Sequence, residues 1–544
     1  MNDDLDSKDD FLDIRDDNYF NTDMDGRNPV TDPEDMEEFG LVNLSKLMSL
    51  REQFNWENEE ERYPFYLRLS KLTRSWRGNL PNLRDFFRDE EIDYLLMEAV
   101  KNRKKERENN RGSFFIRFVY RTGYRDRPEL SEDGKPLLRR TTAVHCVEDT
   151  KHLENILYYL FKIYHRFDVN YIDESGYTHF HAACKYVRDD VVEEFLQLGQ
   201  DPNCLWTETG DSPLHLALST VSYNRGAKKT IQLLLRSGAD SNLANKEGST
   251  PLHIICKRLQ YLDNNLAKLF FEINDEKHQT VQIDAKDGLG RTPLQLAVAS
   301  LLPDVVDVLL DRGADLSSFV FPTENYFAER WKPIDISMNR YEYDRYEYDR
   351  YKWEKLPLSL FLVFSAITVV KHLEKRGYQL TQSDASTIMK LFAKYELFDN
   401  SEDLKKSLET DENFAQETKQ LMFIPNLSFY DLIQLSPEEV EKVVTYRELH
   451  EFHRSSHFYL TDRIKCSHAC ATYFSDMVAR RFLRRWALEP LLELTRHYRL
   501  HPLCCNIIIE KLSSQELMNI FFAVNDQGED LEKADCTAAL LTKN

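Results

Sequence analysis

The chain has 544 residues, of which 42 % are apolar and 30 % charged, and a net charge of −21. That length allows roughly three or four domains, each with its own core, and 12 % aromatic residues exclude a wholly disordered, collagen-like or low-complexity chain. Seventeen Gly and eighteen Pro are few, which argues against a turn-rich all-β protein and for an all-α one.

Nine scattered Cys, and a start that is acidic rather than basic and then apolar, predict a chain without a secretory leader or disulfide framework, in a reducing compartment such as the cytoplasm. Residues 1–38 hold fifteen Asp or Glu against Lys8, Arg15 and Arg27. Residues 1–40 are therefore expected to form a disordered acidic tail, solvated by its own charge, with docking to a basic partner as the alternative.

Residues 41–140 read as a small, partly helical and basic region. Leu41, Leu44, Leu47, Met48 and Phe54 form one stripe at helical spacing, and Leu83, Phe86, Phe87, Leu95, Leu96 and Ala99 another. Residues 101–127 reverse the charge, with ten Lys or Arg against Glu106, Glu108 and Asp126. Phe114, Phe115, Phe118 and Tyr120 interleave with Arg117 and Arg121, as a single-strand groove or a half-buried strand would require. No nucleic-acid reader motif accompanies them, so solvated structure is expected ahead of a nuclear-import segment, and nucleic-acid binding last.

Residues 141–320 carry an internal repeat. Ser212-Pro213-Leu214-His215, Thr250-Pro251-Leu252-His253 and Thr292-Pro293-Leu294-Gln295 are three copies of one motif, and Thr178-His179-Phe180-His181 is a fourth without the Pro. Gly176, Gly210, Gly248 and Gly290 each precede the hydroxyl residue by two, at spacings of 34, 38 and 42. Gly permits a tight turn, Ser or Thr caps a helix, Pro at the first helical position wastes no amide hydrogen, and Leu starts the core stripe. A second helix then ends at Gly199, Gly238 or Gly313.

Motif, order and period resemble the ankyrin repeat. The resemblance implies that His181, His215 and His253 are structural, each bonding backbone near the turn, and that Gln295 does the same with comparable hydrogen bonds. Thr142 with His145, followed by Leu153, Ile156 and Leu157, suggests a further degenerate copy. The longer spacings place insertions at Ser219–Lys229 and Asn274–Gln282, candidates for partner specificity.

Residues 321–383 are expected to be a linker and a degenerate or capping repeat. Tyr-Glu-Tyr-Asp-Arg occurs twice in residues 341–350. Leu356–Val370 is apolar but shorter than the roughly 20 residues a membrane span needs, so a buried helix is expected and no membrane contact. Its continuation through Leu373 to Gly377 looks like another ankyrin second helix.

Residues 384–525 read as a helical domain, followed by a tail, 526–544. The order of Leu427–Ile433, Arg481–Leu488, Cys504-Cys505 and Leu512 resembles the PRANC domain that follows ankyrin repeats in poxvirus and parasitoid-wasp proteins. Within it, Leu500, Pro502, Leu503, Ile507, Ile508, Leu512, Leu517 and Ile520 resemble an F-box, with Ser513-Ser514-Gln515-Glu516 as a capping box for its second helix. The resemblance implies ligase docking through Pro502, Leu503, Ile507, Ile508, Leu512 and Leu517 to a Skp-type linker and a cullin, with a protein target on the concave ankyrin face. His501 between Leu500 and Pro502, and Cys504-Cys505 in place of polar residues, depart from that pattern.

His450, His453 and His457 share a helical face near Cys466, His468 and Cys470, but the spacing matches no familiar zinc site. No phosphate loop, dinucleotide fingerprint or nucleophile elbow occurs. The expectation is a non-enzymatic protein-binding adaptor without a cofactor, with a scaffold or inhibitor as the alternative.

Overall fold

A computed structural model describes residues 33–101, 111–147, 153–220, 225–258, 265–330, 358–395, 397–398, 412–420, 422–424, 426–435, 437–444, 464–496 and 500–525. These are mainly helical, with one two-stranded antiparallel hairpin, a non-helical stretch over 122–147, isolated bridges such as Leu130 to Pro136 and loops between the helices, and they fall into two units: 33–220 with 225–239, and 240–525. Residues 1–32, 102–110, the Tyr-Glu-Tyr-Asp-Arg duplication, the tail from 526, and His450, His453 and His457 lie outside the described residues. Residues 33–40, assigned to the tail on charge alone, instead open a helix.

The first unit begins with α1 (Pro33–Glu52), α2 (Glu59–Arg74), α3 (Asp89–Lys101) and α4 (Arg111–Arg121). The Asn58 side chain caps α2 by accepting the Glu60 amide at 3.2 Å, and three acids at its start and two cations at its end suit the helix dipole. Phe65, Tyr66 and Leu69 of α2, Ile92, Leu95 and Leu96 of α3, and Phe115, Ile116 and Val119 of α4 are buried together with Leu47. Leu41 and Met48, counted in the predicted stripe, are 61 % and 54 % exposed, because only one edge of α1 meets α2. The aromatic run after residue 113 is helix rather than strand. Gly112 lets α4 cross α3, since a Cβ there would lie 2.0 Å from the Ala99 carbonyl oxygen.

A buried ionic cluster joins this bundle to the repeats. Arg140 pairs with Asp93 of α3 and with Asp126, the latter at 2.9 Å. Tyr164 donates to Asp93 at 2.8 Å and Tyr171 to Asp126 at 2.6 Å. Burial outweighs the Arg140 charge at Asp93 and raises its pKa to about 6. The helices that follow are α5 (Leu153–Ile163), α6 (His179–Lys185), α7 (Asp189–Gln197), α8 (Pro213–Ser219) and α9 (Arg225–Arg236). Within the unit, α4 packs on α5, α6 on α8 and α7 on α9.

The second unit continues the alternation with α10 (Pro251–Cys256), α11 (Leu266–Glu276), α12 (Pro293–Ala299), α13 (Pro303–Asp311), α14 (Glu324–Arg330) and α15 (Leu358–Lys375). Short helices α10, α12 and α14 stack on one another, and the longer α11, α13 and α15 do the same. Among the described residues no helix is long and apolar enough to cross a membrane. The insertion placed at Asn274–Gln282 lies elsewhere: Asn274 is inside α11 and buried, and the additional residues separate α10 from α11. His278, at φ 55°, takes the left-handed post that Gly199, Gly238 and Gly313 fill in other copies, so the end of α11 lacks its glycine marker.

After α16 (Gln382–Lys394) come α17 (Glu412–Gln420), β1 (Met422–Ile424) paired with β2 (Leu427–Ser428), α18 (Phe429–Gln434), α19 (Pro437–Val443), α20 (Ile464–Leu494), α21 (Pro502–Lys511) and α22 (Ser514–Asn525). The long α20 packs on α15 as well as on α19, α21 and α22. The expected boundary at 383/384 thus falls inside one unit.

Candidate protein-binding surface

Thr178, Ser212 and Thr292 of the repeated motif each accept an amide from the first turn of their helix, and in all four copies the residue three positions on accepts the amide of the Ser or Thr. Thr178 Oγ1 accepts the His181 amide at 3.1 Å, and His181 Nδ1 accepts the Thr178 amide at 3.2 Å. Because Nδ1 accepts, the proton is on Nε2, which donates to the Cys204 carbonyl at 3.1 Å in the next finger-like turn. His253 repeats the arrangement, taking the Thr250 amide at 3.1 Å and giving to the Arg291 carbonyl at 3.1 Å. His215 takes the Ser212 amide at 3.3 Å. Burial lowers the pKa of His181 and His253, which holds both rings neutral.

Gln295 reproduces this with amide chemistry. Its Oε1 accepts the Thr292 amide at 2.9 Å and its Nε2 donates to the Val320 carbonyl at 3.0 Å. His145 does so one copy upstream, accepting from Thr142 at 3.0 Å and contacting the Tyr171 carbonyl at 3.2 Å, although its helix is reduced to a turn. Two glycines show why the turn needs them. At Gly176 (φ +82°) a Cβ would lie 2.1 Å from Thr207 Oγ1, and at Gly248 (φ +71°) 2.6 Å from the Gly288 amide. Gly210 and Gly290 share the left-handed conformation.

His179, standing where other copies carry Pro, is a tie the motif does not reveal: its Nε2 lies 2.6 Å from Thr142 Oγ1, fully buried. The degenerate or capping repeat expected within 321–383 closes its second helix as the other copies do. Tyr378 donates to the Leu373 carbonyl at 3.1 Å after Gly377, as Ala314 donates to Leu309 at 3.0 Å after Gly313, so α15 ends as α13 does. Asp307 and Asp311 of α13 meet His372 and Arg376 across that contact.

The profile for ankyrin repeats matches residues 214–319, in three copies. This chain carries ankyrin repeats. A segment of 147 residues is 33 % identical to the neurogenic locus notch homolog protein 1 of Mus musculus, covering 27 % of this chain and 5 % of that protein. One of 151 residues is 28 % identical to the transient receptor potential cation channel subfamily A member 1 of Drosophila melanogaster, covering 26 % and 12 %. One of 152 residues is 27 % identical to the E3 ubiquitin-protein ligase KEG of Arabidopsis thaliana, covering 27 % and 9 %. The matches span at most about an eighth of these relatives' length, and what they share is the repeat.

Ankyrin repeats bind proteins through what they leave exposed. In the first unit the turn at Leu205-Trp206 presents Leu205, 47 % exposed, beside Trp206, whose ring lies 4.8 Å from that of Tyr177 and whose Nε1 donates to Ser175 at 3.0 Å. In the second unit Leu289 and Val320 are 72 % and 65 % exposed at the corresponding turns. Of the insertion candidate Ser219–Lys229 only 220–224 separate α8 from α9, since Ser219 ends α8 and 225–229 open α9; 221–224 lie outside the described residues.

The six residues assigned to ligase docking divide. Pro502, Leu503 and Ile507 are exposed on α21, Ile508 and Leu512 are half-buried, and Leu517 is fully buried in α22. Leu517 therefore packs in the core and presents nothing to a partner. Ser513 and Glu516 close a capping box at the start of α22, the Glu516 carboxylate accepting both the Ser513 amide and hydroxyl at 2.9 Å. Cys505 and Ile509 face inward on α21 while Cys504 faces solvent.

Proposed function

We propose that the chain is a non-catalytic adaptor whose ankyrin repeats hold a protein target and whose C-terminal helices engage a cullin-type ubiquitin ligase through a Skp-type linker. The observation that carries the ligase half is on α21: Leu503 and Ile507, one turn apart, are 65 % and 55 % exposed beside Pro502, with Cys505 and Ile509 anchoring the helix from below. Two large apolar side chains aligned on one exposed helical face suit a helix-in-groove partner better than water. The resemblance of this region to the F-box-like PRANC domain supports the same reading. The adaptor contributes proximity and no bond chemistry.

The test is affinity capture from cell extract of the full chain and of an L503D/I507D variant. Skp-type linker and cullin recovered with the first and lost with the second support the adaptor. Their absence from both overturns the ligase half and leaves the alternative, a scaffold or inhibitor that masks a signalling or transcription factor.

A further inference from the structure

The second half of α2 and the turn after it are basic without relief: residues 62–84 hold Arg62, Arg68, Lys71, Arg74, Arg77 and Arg84 and no acid. Arg68, Lys71 and Arg74 recur every three residues on the side opposite Phe65, Leu69 and Thr73, and with Arg77 all four are exposed. Among the described residues no carboxylate pairs with Arg68, Lys71 or Arg77, while Arg74 lies 5.4 Å from the Phe114 ring centroid.

The chain carries its own counter-charge to this place. Helices α1 and α2 form a hairpin in which Asn43 Nδ2 donates to the Arg77 carbonyl at 3.1 Å and a Cβ at Gly40 would lie 3.0 Å from the Asn79 amide nitrogen. The start of α1 therefore sits at the same end as Arg74 and Arg77. Residues 1–32, which lead into it, hold eleven Asp against Lys8, Arg15 and Arg27, and Glu37 and Glu38 of α1 are themselves exposed. Those residues could reach about 100 Å when extended, whereas the helical part of the face, Arg68 to Arg74, is only about 9 Å long.

We propose that residues 1–32 dock on the basic face formed by Arg68, Lys71, Arg74 and Arg77, covering it against other polyanions. The covalent tether sets the local concentration of the acidic segment in the millimolar range, which an unlinked anion must exceed. Nucleic acid is the competing occupant, but it would have to displace a segment already held at the site, and no base-reading motif accompanies the face.

The experiment is zero-length carbodiimide crosslinking of the full chain at low salt, followed by peptide mass spectrometry, with labelled heparin oligosaccharide as the polyanion probe. The expected result is an amide between Lys71 and an Asp of residues 1–32, lost at about 0.5 M salt, where screening falls to a few ångströms. Replacing Asp3, Asp4, Asp6, Asp9, Asp10, Asp13, Asp16 and Asp17 by Asn should tighten heparin binding about tenfold. R68E/K71E/R74E/R77E in that background should abolish the gain, with the milder R77E reducing it if the fourfold variant fails to fold. Absence of the Lys71 crosslink overturns the proposal. So does heparin binding that is equally tight with and without the eight Asn and is lost on R77E, which would assign the face to external polyanions.

Discussion

Gln295 accepts the Thr292 amide and passes a hydrogen bond to the next turn, the task His253 performs one repeat earlier through a neutral ring. Both side chains offer one acceptor and one donor about the right distance apart, and that pairing is what the position demands. His253→Gln should therefore cost less than about 1 kcal/mol, whereas His253→Ala, which leaves the Thr250 amide unpaired and the Arg291 carbonyl with only its bond from the Asp287 amide, should cost about 1–3 kcal/mol. Urea unfolding of the two variants against the natural chain checks this. Equal losses would show that ring packing, not the hydrogen-bond relay, holds the position.

The same residue gives a pH dependence. Burial depresses the pKa of His145, His181 and His253 in the fold below the ordinary histidine value of about 6.5. The unfolded chain then binds more protons, so the stability is complete above that value and is lost as pH falls through the depressed folded values. Hydrogen exchange of the α6 and α10 amides, corrected for intrinsic rate, should show protection falling from pH 7 to pH 5. His253→Gln should flatten the change in α10 and leave it intact in α6.

Asp93 has the opposite sign. Its folded pKa of about 6 lies above its ordinary value of 3.8, so its contribution is complete below 3.8 and is lost as pH rises through 6. Asp93→Asn keeps an oxygen for the Tyr164 hydroxyl and carries no charge. Relative to the natural chain, the variant should gain about 1 kcal/mol in the stability of α3 between pH 5 and pH 8. Hydrogen exchange at the two pH values measures it, and a difference that does not move with pH would mean that Arg140 fully offsets the buried charge.

The repeats were legible because their information is local: a hydroxyl residue, a Pro and a His within four positions dictate a helix start. What escaped depends on distant partners or on a missing marker. Arg140 and Asp93 are 47 residues apart, and nothing in the spacing of charges announces that they meet. The true site of the insertion in the third repeat was hidden because α11 ends at His278 instead of a glycine. Leu503 and Leu517 look alike in a stripe that is apolar on more than one side, and only packing against α20 separates surface from core.

His278 offers a stabilising change. The bonds after α11, from His278 to the Asp275 carbonyl at 3.0 Å and from Gln279 to Asn274 at 2.9 Å, match those at Gly238, from Gly238 to Leu235 at 3.1 Å and from Ala239 to Leu234 at 3.0 Å. The imidazole is exposed, so removing it uncovers no core. The left-handed conformation costs a non-glycine residue about 1–2 kcal/mol, of which glycine's larger unfolded-state entropy returns part. His278→Gly should raise stability by about 0.5–1 kcal/mol. An unchanged or lowered melting temperature would show that the ring contributes something its exposure hides.

Leu503 and Leu517 provide the cleanest separation of a binding surface from a scaffold. Leu517 is fully buried in α22, which packs on α20, and Leu517→Ala should cost about 2–5 kcal/mol through lost burial and the cavity left behind. Leu503 is 65 % exposed on α21, and Leu503→Ala should stay within about 0.5 kcal/mol. Thermal unfolding of the two variants tests that contrast without reference to any partner. If Leu503→Ala proves as costly as Leu517→Ala, the side chain is packed rather than presented, and α21 no longer offers the apolar face on which the ligase-docking reading rests.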